Sequence, residues 1–190
     1  MKALVEKIKI AGTYVGGGII KVDSFLNHQI DSGLMVEIGK EFATYFATVE
    51  PTMILTAESS GIPPALMTGA ALGIPIVYAR KKTPLTMSQK VYFAEAPSRT
   101  KGDMTRLIVS PDFLPSDARV LLIDDFLATG LTAVAMIDII RQSGAELVGV
   151  GCVVEKTFED GRRLIAENFT GPIHSLAKIS LNGDDIDVTS

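Results

Sequence analysis

Two adjacent carboxylates, Asp124 and Asp125, end an apolar stretch and precede a turn of small residues at 128–130. Carboxylate oxygens accept hydrogen bonds from neighbouring hydroxyl groups such as those of a ribose. A helix is predicted to begin at this turn, and the first N–H groups of a helix lack partners and carry the positive end of its dipole. Helix starts of this kind bind phosphate. These residue types in this order therefore predict a site for a phosphorylated sugar.

Three residues near the turn strengthen this prediction. Thr129 and Thr132 supply hydroxyl donors, and Gly130 lets the backbone approach an oxygen atom because it has no Cβ. A simpler interpretation stays open at this point. In it the acidic pair is an N-cap with a solvated charge, and the turn is an ordinary capped helix start.

The segments around the turn alternate between predicted strands and predicted helices. Apolar runs predict strands at 52–57, 74–80, 118–125, 147–156 and 173–179. Helical spacing and end signals predict helices at 34–47, 63–72, 129–143 and 162–168. The strand before the acidic pair is apolar throughout, which is typical of a parallel strand covered on both faces. The alternation predicts an α/β fold with a doubly wound, mainly parallel sheet flanked by helices.

Polar residues follow two further predicted strands, at 58–61 and at Glu155 and Lys156. Because ligands bind beyond the carboxyl ends of strands in such sheets, both places are candidate site segments. The stretch 81–103 is polar and basic and has no clear period. It is predicted to be a long loop, with a strand pair inside it as an option, and loops of this length commonly cover a binding site.

Composition excludes several classes of function. The 190 residues fit one domain, 1–190, and the net charge of −4 argues against a broad nucleic-acid-binding surface. The single cysteine, Cys152, is interpreted as a buried strand residue, and its lack of a disulfide partner fits a reducing cytoplasm. His28 and His174 are far apart in the sequence, so we expect no metal site built from protein side chains alone.

One uncharged stretch, 59–79, approaches the length of a membrane span. It contains three prolines and three glycines, which divide it into a loop, a short helix and a strand. We therefore predict a buried helix–strand unit and no membrane segment.

The stretch VLLIDDFLATGLT, 120–132, resembles the motif with which type I phosphoribosyltransferases bind phosphoribosyl pyrophosphate (PRPP). The resemblance implies that fold, with a mobile catalytic loop and a small hood formed by about 1–33 and the C-terminal segment. It implies that the paired acids, Asp124 and Asp125, are catalytic and hold the ribose hydroxyls. It assigns the 5-phosphate to five residues: Ala128, Thr129, Gly130, Leu131 and Thr132.

The loop ESSG resembles the loop of that family whose backbone amides bind the diphosphate, often across a cis peptide bond. This implies that Ser59, Ser60 and Gly61 bind the pyrophosphate part of PRPP.

The strand end YARKK, 78–82, resembles the family's basic strand end. The resemblance brings Lys82, as a catalytic residue, and Arg80 to the pyrophosphate, and 83–103 lies where relatives have the catalytic loop.

The segments 19–31 and 153–156 resemble the members of the family that use xanthine. Lys156 is a donor only and suits a 6-oxo group, while Asn27 can offer an amide N–H to a 2-oxo group. Ile20 with Phe126 or Leu127 would form an apolar wall against the purine ring. Each assignment keeps a plainer alternative: a strand-end surface lysine, a turn asparagine and a core phenylalanine.

One position departs from several relatives. Those that take hypoxanthine and guanine often carry a carboxylate where this chain has Ala128. No protein group is then obvious as the acceptor of the purine proton, which leaves water or the acidity of the base itself.

The resemblance implies a cytoplasmic purine salvage enzyme that uses PRPP and xanthine as substrates and acts as a homodimer. Mg²⁺ is implied as cofactor, held mainly by substrate and water. Two alternatives stay open: a hypoxanthine/guanine phosphoribosyltransferase, and a PRPP-sensing transcription regulator of the same fold.

Overall fold

A computed structural model describes residues 1–82, 90–97, 104–183 and 185–190 of the chain. The α-helices of these ranges are α1 (Lys2–Ala11), α2 (Ser32–Phe46), α3 (Ile62–Leu72), α4 (Leu131–Ser143) and α5 (Gly161–Asn168). The strands are β1 (Thr13–Tyr14), β2 (Ile20–Lys21), β3 (Met53–Ala57), β4 (Ile76–Ala79), β5 (Tyr92–Pro97), β6 (Met104–Val109), β7 (Arg119–Leu127), β8 (Glu146–Lys156), β9 (Ile173–Asn182) and β10 (Asp185–Thr189). A π-helical turn (Asp23–Asn27) and two 3₁₀ turns (Ala47–Val49 and Pro111–Phe113) complete the regular structure.

A six-stranded sheet with the order β10-β9-β8-β7-β3-β4 forms the centre of the fold. Within this sheet the neighbouring strands β4, β3, β7, β8 and β9 run parallel, and β10 is antiparallel to β9. The chain builds outward from β3 to β4 on one side and from β7 through β8 to β9 on the other. This reversal between β3 and β7 is the position where open α/β sheets bind ligands. The predicted α/β fold with a mainly parallel sheet is confirmed.

Alternate residues of β7 face two separate hydrophobic cores. Leu121 and Ile123 pack in the cluster that includes buried residues of α2 and α3, whereas Val120 and Leu122 pack in the cluster that includes α4 and α5. Because both faces are covered, β7 is apolar throughout until its acidic end. Cys152 lies buried as a free cysteine in the second cluster, on β8, as predicted.

The structure shifts several boundaries and adds elements. β7 continues to Leu127, and α4 begins only at Leu131, because Gly130 before it adopts a positive φ of 80° that a helix cannot continue. The sequence analysis did not predict α1, the β1–β2 hairpin or β10. β10 pairs with β9 and lies next to α1, so both ends of the chain meet at one edge of the sheet.

The strand pair considered for 81–103 is present in part. β5 lies within that stretch and pairs antiparallel with β6, which follows it, and the hairpin joins Arg80 through an isolated bridge to Ile108. Residues 83–89 and 98–103 of the predicted catalytic loop lie outside the described residues. Among the helices of the described ranges, none has the length and apolar character needed to cross a membrane.

We predict that Gly151→Ala destabilises the fold, because β8 passes close under α2. A Cβ at Gly151 would lie 2.6 Å from Cδ1 of Ile123 and 2.9 Å from Cε1 of Phe42. Overpacking of this kind costs about 1–3 kcal/mol, so the midpoint of urea unfolding should fall.

Gly33→Ala in α2 is the matched control for this substitution. A Cβ there would meet only the Asp31 carboxylate at 3.6 Å, an ordinary contact. Its unfolding free energy should stay the same or rise, because alanine favours a helix over glycine. Equal unfolding midpoints for the two variants would contradict the packing described.

Candidate functional site

A cavity of about 420 Å³ lies at the carboxyl ends of β3 and β7, where the strand order reverses. Its wall combines the ends of these strands, the start of α4, the β5–β6 hairpin and the end of the π-helical turn. Ten predicted site residues line it: Asn27, Ser60, Asp124, Asp125, Phe126, Ala128, Thr129, Gly130, Leu131 and Thr132. The structure thus brings the predicted sugar and 5-phosphate residues to one cavity, together with two of the four predicted base residues, Asn27 and Phe126. Lys156 and Ile20 are not part of the cavity lining.

The turn at 128–130 separates the end of β7 from the start of α4. Gly130 is in the left-handed region, and its carbonyl accepts the N–H of Val134 at 2.9 Å, which closes the first helical turn. The N–H groups of the residues before Val134 then have no partner within the helix and carry the positive end of the dipole. Because the helix starts two residues later than predicted, the whole turn is available to bind an anion.

Asp124 is buried, with 7% of its surface exposed, and Asp125 is half-buried beside it. The Asp125 backbone N–H donates a hydrogen bond of 3.0 Å to Oδ1 of Asp124. Burial raises the pKa of Asp124 well above its usual value, and the negative charge of Asp125 adds to the effect. The positive charge of Lys81 acts in the opposite direction. The pair therefore consists of a buried acid with raised proton affinity and a second acid nearer the cavity.

The loop 58–61 joins β3 to α3, and its peptide bond between Glu58 and Ser59 is cis. Ser60 lines the cavity. Gly61 packs underneath instead, because a Cβ there would lie 2.8 Å from Oδ1 of Asp124 and closer still to Oγ1 of Thr56. The loop residues thus divide between the cavity wall and the support of the buried acid.

The basic strand end differs from the prediction in which lysine it presents. Lys81 lines the cavity, whereas Lys82 is exposed and outside the lining. The backbone N–H of Lys81 donates to Oε1 of Glu58 at 2.6 Å, which joins this strand end to the loop 58–61. Arg80 exchanges two backbone hydrogen bonds of 2.9 Å with Ile108 and is half-buried. The sequence shows three consecutive basic residues, 80–82. Which of them faces the cavity depends on the hydrogen bonds of Arg80 with Ile108 and of Lys81 with Glu58.

Lys156 ends β8 and is buried, with 6% of its surface exposed, so it is not a surface lysine. Its Nζ donates to the carbonyl oxygen of Gly18 at 2.7 Å and lies 5.5 Å from the centre of the Phe126 ring. Phe126 both lines the cavity and packs against the first core, so the two interpretations of this residue are compatible. Ile20 is buried within the hood and does not line the cavity.

The sequence analysis missed the hairpin that holds Lys156. The three residues Gly16, Gly17 and Gly18 between β1 and β2 all have positive φ, at 86°, 58° and 74°. Residues other than glycine rarely adopt this conformation, so the three glycines allow the turn that directs the Gly18 carbonyl to Nζ of Lys156. The run GGG in the sequence was the available signal.

The chain matches a known protein family over most of its length. Residues 29–165 match the family described as the phosphoribosyl transferase domain. The chain is 50% identical over 187 residues to the xanthine phosphoribosyltransferase of Geobacillus thermodenitrificans, covering 98% of this chain and 95% of that protein. It is 51% identical over 179 residues to the protein of the same name from Deinococcus deserti, covering 94% and 92%.

Solved structures resemble the fold at lower sequence identity. Adenine phosphoribosyl transferase from Trypanosoma brucei, in complex with AMP, pyrophosphate and ribose-5-phosphate, has a TM-score of 0.74 at 21% identity, covering 92% of this chain and 79% of that chain. The Giardia lamblia enzyme complexed with 9-deazaadenine has a TM-score of 0.76 at 19% identity, covering 94% and 98%. At these identities the likeness shows the fold alone.

We predict that Asp124→Asn raises the free energy of unfolding at neutral pH. The folded pKa lies above the ordinary aspartate value of about 4, so the folded state binds this proton more tightly than the unfolded state. Wild-type stability therefore falls as pH rises between those two values. Asparagine keeps the oxygen that accepts the Asp125 N–H but cannot ionise. In urea unfolding from pH 4 to 8, its advantage should grow with pH and vanish near pH 4.

Asp31→Asn is the control with the opposite sign. The hydrogen bond from Lys7 and the N–H of Leu34 lower the pKa of Asp31, so its stabilisation is present above the ordinary value and lost as pH falls. That variant should not gain stability at neutral pH. A parallel gain in both variants would contradict the assigned burial of Asp124.

Proposed function

This chain belongs to the phosphoribosyl transferase family, and on that premise we propose that it transfers the 5-phosphoribosyl group of PRPP to xanthine. The products are xanthosine 5'-monophosphate and diphosphate. One observation carries the proposal: the acidic pair, the free helix start and the hood residue Asn27 line the same cavity. The names of the relatives at 45–51% identity support xanthine as the base.

The sugar phosphate occupies the part of the cavity beside β7 and α4. Asp124 and Asp125 both line the cavity and accept hydrogen bonds from the ribose hydroxyls, and Oδ1 of Asp124 also accepts the Asp125 N–H. The turn 128–130 and the first two residues of α4 receive the 5-phosphate on their backbone N–H groups and on the hydroxyls of Thr129 and Thr132. A doubly charged phosphate also complements the helix dipole at this end.

The pyrophosphate lies toward the loop 58–61, which precedes the start of α3. Ser60 and Lys81 line this side and supply a hydroxyl donor and a positive charge. Ser59 and Gly61 contribute through their backbone, while direct contacts of Lys82 and Arg80 remain predictions. Stabilising negative charge on the departing pyrophosphate is the main task of such groups.

The base lies between the hood and the end of β8. Phe126 offers a ring face to the purine, and Asn27 at the end of the π-helical turn lines the same cavity. Lys156, held by the Gly18 carbonyl beside Phe126, presents a donor to the 6-oxo group, whereas a 6-amino group would meet a like donor. Ile20 supports this end from within the hood core.

The chemistry is displacement of pyrophosphate from the ribose carbon by a purine nitrogen, and the protein mainly positions and stabilises. This chain has alanine at position 128 and so lacks the carboxylate that could accept the purine proton there. The proton goes to water or leaves the acidic base beforehand. The β5–β6 hairpin, which forms part of the cavity wall, is proposed to help exclude water, which would otherwise hydrolyse the sugar.

The donor set fits Mg²⁺ bound together with PRPP. The described residues hold no group of three or more His, Cys, Asp or Glu side chains that could bind a metal ion by themselves. Mg²⁺ is commonly bound through one or two carboxylates, substrate phosphates and water, and Asp124 and Asp125 are such carboxylates. When bound, the ion neutralises charge on the pyrophosphate. A homodimer and a cytoplasmic location are proposed with the same function.

Competition between bases tests the proposal. The purified chain is given PRPP and Mg²⁺ with xanthine, guanine, hypoxanthine or adenine, and kcat/KM is measured from diphosphate release. We expect the highest value with xanthine. Preference for hypoxanthine or guanine would support the alternative enzyme, and no turnover with any base would refute the function.

We predict that the double substitution Asp124→Asn and Asp125→Asn nearly abolishes turnover while leaving the fold intact. Each hydrogen bond from a ribose hydroxyl to a charged acceptor is worth about 1.5–3 kcal/mol, so kcat/KM should fall at least about a hundredfold. Far-UV circular dichroism checks the fold. Asp117→Asn, an exposed residue remote from the cavity, is the control and should keep wild-type turnover. Wild-type activity in the double variant would refute the role of the acidic pair.

A second prediction concerns the base. Lys156→Ala should raise KM for xanthine at least about tenfold and change KM for PRPP far less, because of the two substrates only the base is proposed to contact Lys156. Lys178→Ala on the neighbouring strand β9 is the control and should change neither constant. An equal rise in both constants would show that Lys156 acts on the fold of the site rather than on the base.

A further inference from the structure

The first residue of α5, Gly161, packs directly against the turn 128–130. A Cβ on Gly161 would lie 2.7 Å from Cδ1 of Leu127, 2.9 Å from the nitrogen of Gly130 and closer still to the carbonyl oxygen of Ala128. A Cβ on Gly130 would in turn lie 2.7 Å from the carbonyl oxygen of Gly161. The two backbones therefore meet with no room for a methyl group. Positive φ explains glycine at 130 only, because Gly161 is helical, so its missing side chain serves the close approach.

A partly buried ion pair holds α5 at this contact. The Arg162 guanidinium donates to both carboxylate oxygens of Glu155, at 2.7 and 2.6 Å, and to the Ile173 carbonyl and the Ser175 hydroxyl, each at 3.1 Å. Glu155 is 5% exposed on β8. A two-pronged pair of this type fixes geometry as well as energy. The start of α5 is thus attached to β8 and β9 immediately after Gly161.

The atoms at the contact control where the turn's donors point. The carbonyl of Ala128 and the N–H of Thr129 belong to one planar peptide unit, so pushing the oxygen rotates the N–H. The second atom in contact is the nitrogen of Gly130 itself. Any group larger than hydrogen at position 161 must therefore rotate the N–H groups of Thr129 and Gly130 away from their present directions.

We propose that Gly161 is a positioning residue for the 5-phosphate, setting the peptide planes of the turn 128–130 from outside the motif. The inference rests on the proposed function, because it assigns a role within that site. Gly161 also lies close in the chain to the proposed base residue Lys156, since only residues 157–160 separate the two. The end of β8 and the turn 128–130 are then held at a fixed distance and orientation.

Gly161→Ala tests this role through constants that a purely structural glycine would not separate. KM for PRPP and the inhibition constant of ribose 5-phosphate should rise about tenfold or more, which is about 1.4 kcal/mol at 25 °C. KM for xanthine and the inhibition constant of inorganic pyrophosphate, which binds at 58–61, should change less than about twofold. Gly33→Ala serves as control and should keep all four constants.

Two results would overturn the inference: wild-type constants for PRPP and ribose 5-phosphate in Gly161→Ala, or an equal rise in all four constants. If Gly161→Ala does not fold, Arg162→Lys decides. That variant keeps the charge opposite Glu155, loses the two-pronged geometry and adds no atom at the contact. Arg162→Lys should raise the inhibition constant of ribose 5-phosphate by a larger factor than that of pyrophosphate. Unchanged inhibition constants would refute the role of Gly161.

Failure of the proposed function would be seen differently, in the wild-type chain itself. It would show no PRPP-dependent turnover with any purine base. A wild-type chain that is active beside a Gly161→Ala variant with unchanged constants refutes only the inference about Gly161.

Discussion

The backbone N–H groups at the start of α4 have no partner within the helix and need an anion or water, and the rest of the site is arranged around this requirement. Helices and hydrophobic cores cover both faces of the sheet, so the open place for these donors is the carboxyl edge of the strands. The reversal of strand order between β3 and β7 separates the loops that follow them and creates the cavity there. The same geometry places the acidic end of β7 beside the donors.

The site carries groups that do not stabilise the fold on its own. Asp124 is an acid buried enough for its pKa to be raised, and the hydroxyl of Thr56 beneath Gly61 is buried without a hydrogen-bond partner in the described part of the chain. Groups of this kind cost stability and are common where a site is shaped for a ligand.

Local patterns in the sequence predicted most of the sheet, the helices that flank it and the turn after β7. They succeeded because each depends on neighbours in the chain: the unbroken apolar run of a strand covered on both faces, and the small residues that precede a helix. Predictions failed where the local pattern was weak or shared. The mixed charge of 2–11 concealed α1, and three consecutive basic residues, 80–82, did not reveal that Lys81 faces the cavity.

The sequence by itself determined the fold class, the acidic pair and the turn 128–130, because hydrogen bonding and side-chain periodicity along one segment decide them. Only the tertiary structure decided which distant atoms meet. Lys156 bonds to a carbonyl 138 positions away, at Gly18, and Gly161 presses on the turn at Gly130. Such contacts arise from the packing of β8 and α5 against β7 and the hood, and no spacing within a single segment encodes them.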